Sequence, residues 1–143
     1  MIYGELIKNN EDVEVWTPKY GNEKQLEYYL IGKSIVEWDK DKLVLDDGTI
    51  ITIEMSENDC CASAGGEFKN VKLNAVITDV NLSGIEFSEE YDGEITNYKT
   101  VTFIHDRNKI AQADMYANNG NGGYYYSVAS LVITEIHFAI VDA

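Results

Sequence analysis

Lys42-Leu43-Val44-Leu45-Asp46-Asp47-Gly48-Thr49-Ile50-Ile51-Thr52-Ile53-Glu54-Met55 is the stretch that decides the fold class. Two apolar, β-branched runs flank Asp46-Asp47-Gly48. Asp-Gly in that setting closes a hairpin, because glycine takes up the positive φ that a tight turn requires. In the returning run Ile51, Ile53 and Met55 share one face, with Thr52 and Glu54 on the other. A period of two makes one face of the strand apolar and leaves the other wet.

Working outward, Ile35-Val36-Glu37-Trp38 reads as the strand before this hairpin. Downstream, Ala62-Ser63-Ala64-Gly65-Gly66 reads as a small-residue loop, and Leu73 to Val80 and Gly84-Ile85-Glu86-Phe87-Ser88 as strands. Glu89 to Asn97 reads as an exposed acidic loop. Thr100 to His105 and Ile110 to Tyr116 flank Asp106-Arg107-Asn108-Lys109, a second hairpin with a polar turn. The apolar run Val128 to Val141 favours a strand by its Val and Ile content, with a helix as the alternative. Residues 1–30 form a less regular N-terminal arm, in which Val13-Glu14-Val15-Trp16 suits a strand. Leu26, Tyr29 and Leu30 recur there at the spacing of a short helix. The pattern predicts a mainly β, single domain over 1–143, built as an antiparallel sheet, sandwich or partly closed barrel with one short helix.

The length of 143 residues suits one domain, and 45% hydrophobic residues supply a core that needs neither disulfide nor metal. Twenty-five acidic residues against eleven basic ones give a net charge of -14. Such a surface repels phosphate backbones and anionic lipid, which argues against direct nucleic-acid or membrane partners. It suits solubility, or an acidic surface that mimics DNA and occupies a basic cleft on another protein. The opening residues lack the pattern of a secretory signal and no apolar run reaches bilayer length, so a cytoplasmic location is expected.

Cys60-Cys61 is an adjacent pair, expected as reduced thiols, one facing inward and one outward. Neither zinc spacing nor an EF-hand loop is present, and no metal or cofactor is expected. Glu86, Glu89, Glu90, Asp92 and Glu94 read as a solvated loop and not as a catalytic pair. His105 lacks a nucleophile motif around it, and His137 reads as a hydrogen-bonded or partly exposed sheet residue. A catalytic role is therefore not expected.

Asn118-Asn119-Gly120-Asn121-Gly122-Gly123 lacks the lysine of a phosphate-binding loop and reads as a flexible hairpin connection. Its margins gather Tyr116, Tyr124, Tyr125 and Tyr126. Aromatic planes there could stack a base, and Asn118 and Asn119 could bind its polar edges. Arg107 is the single arginine and the candidate counter-charge. Tyr116, Asn118, Asn119, Tyr124, Tyr125 and Arg107 are thus the candidate ligand-binding residues. Ten tyrosines and the terminal apolar run also suggest a homo-oligomer.

Asn58-Asp59-Cys60-Cys61 and the segment from Met115 through Asn118-Asn119-Gly120-Asn121-Gly122-Gly123-Tyr124-Tyr125-Tyr126 to Val128 resemble a family of small phage, prophage and bacterial proteins classed as a domain of unknown function. Gly32 to Ile35 and Asp46 to Thr49 stand in the same order as in that family. The match covers about residues 30–133. Family members carry bulky or acidic residues after the cysteines, where this chain has Ala62 to Gly66. The resemblance implies a phage-associated β-domain and no established activity. With the Tyr/Asn loop it suggests a non-enzymatic binding protein, a counter-defence sponge for a nucleotide-derived immune signal. The alternatives are an acidic, DNA-mimic-like inhibitor of a host nucleic-acid-handling enzyme and a phage structural protein.

Overall fold

A computed structural model describes the backbone of residues 4–8, 14–83 and 86–143, with side chains from Pro18 onward in those ranges. Met1 to Tyr3, Val13 and the Gly84-Ile85 start of one expected strand lie outside the described residues. The elements are β1 (Gly4–Lys8), β2 (Glu14–Tyr20), α1 (Glu23–Leu30), β3 (Ile35–Asp39), β4 (Lys42–Leu45), β5 (Ile50–Asn58) and β6 (Ser63–Lys69). They continue as β7 (Asp79–Asn81), β8 (Glu86–Tyr91), β9 (Glu94–His105), β10 (Asn108–Asn118), β11 (Ser127–Ile133) and β12 (Ile136–Asp142). The chain is mainly β. One sheet runs β1-β2-β12-β11-β5-β4-β3, the other β6-β10-β9-β7, with β8 added on β9. Neither closes into a barrel.

The Asp46-Asp47-Gly48 turn forms as the sequence predicts. Gly48 sits at φ 88° and Asp47 Oδ1 accepts from the Thr49 amide at 3.0 Å. Three further hairpins close through two-residue loops whose members both have positive φ: Asp92 and Gly93 (52° and 84°), Asp106 and Arg107 (44° and 73°), Thr134 and Glu135 (51° and 70°). That conformation matches the right-handed twist of paired strands.

Two of these loops correct the sequence reading. Glu89 to Asn97 is no loop but the end of β8, the Asp92-Gly93 turn and the start of β9. The terminal apolar run is two strands, β11 and β12, folded back at Thr134-Glu135, a turn that contains no glycine to announce it. Ala62 to Gly66 enters β6, whose glycines lie in the ladder opposite Met115 and Tyr116. Leu73 to Val80 is mostly irregular, with strand only from Asp79, because Asn74 turns the chain at φ 66°. The expected arm carries β1, β2 and α1.

Helix α1 starts at Asn22, whose side chain accepts from the Gln25 amide while Gln25 returns the bond, a capping box. Leu26 and Leu30 face inward at the spacing of one helical turn and are fully buried. They join Ile51, Leu131 and Ile133 from the first sheet and Val101, Phe103, Ala111 and Ala113 from the second in one buried cluster. The terminal run offered above as an intersubunit contact is spent inside this core. No described helix is long and apolar enough to cross a membrane.

Candidate functional site

The Asp-Cys-Cys turn and the Asn/Gly/Tyr segment, with Cys61 and Asn118 separated by 57 positions in sequence, meet at one end of the two sheets. Asp59 donates its amide to the Tyr126 carbonyl at 3.1 Å and accepts the Tyr126 amide on Oδ1 at 2.7 Å. Ser127 Oγ stands 2.9 and 2.8 Å from the carbonyl oxygens of Ser63 and Asn118, to either of which its one hydroxyl hydrogen is donated, and it accepts the Asn118 amide at 3.1 Å. The space around Gly120 is filled by the Tyr125 ring and the backbone of Cys61 and Ala62. This segment joins β10 to β11, so it crosses from one sheet to the other and is not the flexible hairpin connection expected.

Cys60 lies at φ 30° in the turn, which brings the sulfurs of Cys60 and Cys61 against each other. Both residues are exposed. This corrects the expectation that one side chain faces inward and the other outward. Alternation holds only in a strand, and the chain leaves β5 before reaching them.

The outer face of the second sheet continues from this junction. Strand registers place Gly65, Tyr116, Tyr98 and Phe87 side by side across β6, β10, β9 and β8. The Phe87 and Tyr98 rings stack with centroids 4.5 Å apart and planes inclined by 12°. Tyr116 leans the other way, over the surface that Gly65 leaves bare. A ring covering a strand glycine shields its backbone and stabilises the ladder. The divergence leaves a groove of about 510 Å³ between Tyr98 and Tyr116, floored by Thr100, Asp114 and Met115. A second groove of about 370 Å³ runs from Tyr98 and Tyr116 over Thr96 and Asn118 to Cys61.

One carboxylate on this face is held by several donors. Asp114 takes an ion pair from Lys69 and hydrogen bonds from Thr100 at 3.0 Å and Gln112 at 2.9 Å. Partial burial alone would push its carboxyl up, but these donors outweigh it and hold the pKa below the ordinary carboxylate value. Desolvation and then the neighbouring Glu89, which accepts from the phenol at 3.2 Å, push the Tyr98 pKa up. On the opposite face of β9, Lys99 pairs with Glu86 at 3.0 Å.

Of the residues singled out from sequence, Tyr116 and Asn118 line the groove. The Asn side chains are occupied in holding the segment. Asn118 donates to Thr96 at 2.8 Å and accepts from the Gly120 amide at 2.7 Å, and Asn119 accepts from the Ile95 amide at 2.7 Å. Tyr124 is 86% exposed beyond the groove, and Tyr125 packs on Gly120. Arg107 does not join them. It sits in the turn at the far end of the β9–β10 hairpin, on the order of 30 Å away at about 3.4 Å per ladder residue. Tyr98, Phe87, Gly65 and Asp114 escaped the sequence reading. The Asp92-Gly93 turn was the signal that would have aligned Phe87 with Tyr98.

His137 is fully buried, with Nδ1 2.7 Å from Ser56 Oγ, whereas His105 Nδ1 lies 2.7 Å from the Val76 carbonyl oxygen. Among the described residues no group of three or more His, Cys, Asp or Glu is arranged to hold a metal.

The fold and face define a two-sheet β-protein, antiparallel except where β12 pairs β2, with an aromatic row on the outer side of its second sheet. The chain belongs to DUF7448, a family described as a domain of unknown function, whose model matches residues 28–132. That span takes in both the Asp-Cys-Cys turn and the Asn/Gly/Tyr segment. No curated protein and no solved structure matches the chain significantly.

Proposed function

We propose that this protein is a non-enzymatic binding protein that sequesters a small ligand with a planar ring of the nucleobase class in the groove between Tyr98 and Tyr116. The observation that carries the reading is the aromatic row, in which Phe87 and Tyr98 already stack while Tyr116 stands off over Gly65. A ring inserted there would continue the stack, and base–aromatic stacking contributes about 1–3 kcal/mol per base. Thr100 and Thr96 supply polar edges beside it. Lys69 and Lys99 are committed to Asp114 and Glu86 and Arg107 is remote, so ring and sugar, not phosphate charge, would supply the affinity. In the phage setting implied by the resemblance, the protein would act as a sponge for a nucleotide-derived signal.

The test is thermal unfolding with a panel of bases, nucleosides and cyclic nucleotides, with chromatography of each compound afterwards. Ligand at about 100 times its Kd adds roughly 2.7 kcal/mol, which raises Tm by about 2–8 °C per kcal/mol in this size range. A rise with intact recovery, lost in Tyr98→Ala, supports the proposal. Loss only in Tyr124→Ala would move the site to the exposed loop. A flat panel would overturn it and favour the acidic protein-binding alternative.

A further inference from the structure

Strand β8 is exposed at all six residues and is paired on one side only, by β9. No strand lies on its other side among the described residues. The two-residue Asp92-Gly93 turn makes Tyr91 and Glu94 the hydrogen-bonded pair that closes the hairpin. Hydrogen-bonded and open pairs then alternate. Phe87 and Glu89 bond to β9, while the amides and carbonyls of Glu86, Ser88 and Glu90 point away from the sheet. Ile95, opposite Glu90, fits this phase. Its amide donates to Asn119 Oδ1 at 2.7 Å and its carbonyl accepts the Asn119 amide at 3.0 Å, both on the side away from β8.

The side chains of this edge divide between two surfaces. Phe87 and Glu89 stand on the outer face beside Tyr98, whereas Glu86 and Ser88 border a groove of about 530 Å³ toward Val141 and Asp142 of β12. A row of backbone donors and acceptors with alternating side-chain recesses is what an added strand uses, the bonds giving affinity and the recesses specificity. Charge selects the occupant. Glu86, Glu89 and Glu90 lie along the edge, and Lys99, the cation facing it, is paired with Glu86. A second copy would bring acid against acid on a chain of net charge -14, so self-pairing is opposed.

We propose that β8 is a docking edge for an extended, basic segment of another protein, which adds to the second sheet as a further strand. The test measures fluorescence anisotropy of a short labelled peptide alternating lysine with valine or threonine, titrated with the whole chain. Binding should weaken steeply with salt, and amide shifts in the protein should centre on Glu86–Tyr91. N-methylation of alternate peptide amides removes donors without changing charge, and should weaken binding about tenfold or more, as lost main-chain bonds do. Ser88→Pro takes away an outward amide without breaking a backbone bond to β9 and should do the same, whereas Ser88→Ala, which loses only the Ser88 Oγ bond to Asn97 Oδ1, should bind as the native chain does. Glu89→Lys with Glu90→Lys should abolish binding. No binding, or equal binding of the N-methylated peptide, overturns the proposal. A dimer that Ser88→Pro dissolves would assign the edge to a second copy instead.

Discussion

Asp59 and Tyr126 clasp each other through two hydrogen bonds, amide to carbonyl at 3.1 Å and carboxylate to amide at 2.7 Å, across 67 residues of sequence. The clasp ties the Asp-Cys-Cys turn to the segment that carries the chain from the second sheet to the first. Asp59→Ala leaves the Tyr126 amide without its acceptor and should cost about 1–2 kcal/mol in urea unfolding, within the range for hydrogen bonds of this kind. Asp59→Asn, which keeps an acceptor oxygen, should recover most of the loss.

Gly65 and Gly66 are neighbours with opposite tolerances. A methyl at Gly66 would overlap the Asp114 carbonyl and come within 2.9 Å of Met115 Cα, while one at Gly65 finds the Tyr116 ring at 3.4–3.7 Å. Backbone cannot step aside as a side chain can. Gly66→Ala should destabilise by about 1–3 kcal/mol, as overpacking does, and Gly65→Ala should be tolerated. Thermal melts of the two variants compare them directly.

Leu30 is fully buried among residues of both sheets. Leu30→Ala should cost about 2–5 kcal/mol through lost burial and the cavity left behind. Circular dichroism and tyrosine fluorescence should report one shared, shifted transition. A separate early loss of helix would mean that α1 is peripheral to the core.

Asp47 accepts the Thr49 amide in the first hairpin turn. That bond, with the Thr49 side chain and Lys33, lowers its pKa to about 2 against some opposing desolvation. A depressed carboxyl stabilises the fold above its unfolded pKa and loses that contribution as pH falls through the folded value. The stability gap between the native chain and Asp47→Ala should therefore be complete at neutral pH and close between about pH 4 and 2. Urea midpoints across that range measure it, and a gap that persists below pH 2 would refute the assignment.

Local rules made part of this molecule legible. The Asp46-Asp47-Gly48 turn, the alternation of Ile51, Ile53 and Met55, and the spacing of Leu26 and Leu30 each depend on residues a few positions apart. Strand patterning likewise set the mainly β class, and composition the acidic surface. Thr134-Glu135 defeated the reading because its positive φ values are imposed by the pairing of β11 with β12 and not by glycine. The aromatic row was hidden for a related reason. Phe87, Tyr98 and Tyr116 become neighbours only once the registers of three strands are fixed. Register is set by which faces find a core, a property of the whole sheet. The same hairpin geometry carried Arg107 away from the loop it was expected to serve, and only the tertiary pairing of Asp59 with Tyr126 joined the two motifs that the sequence had shown apart.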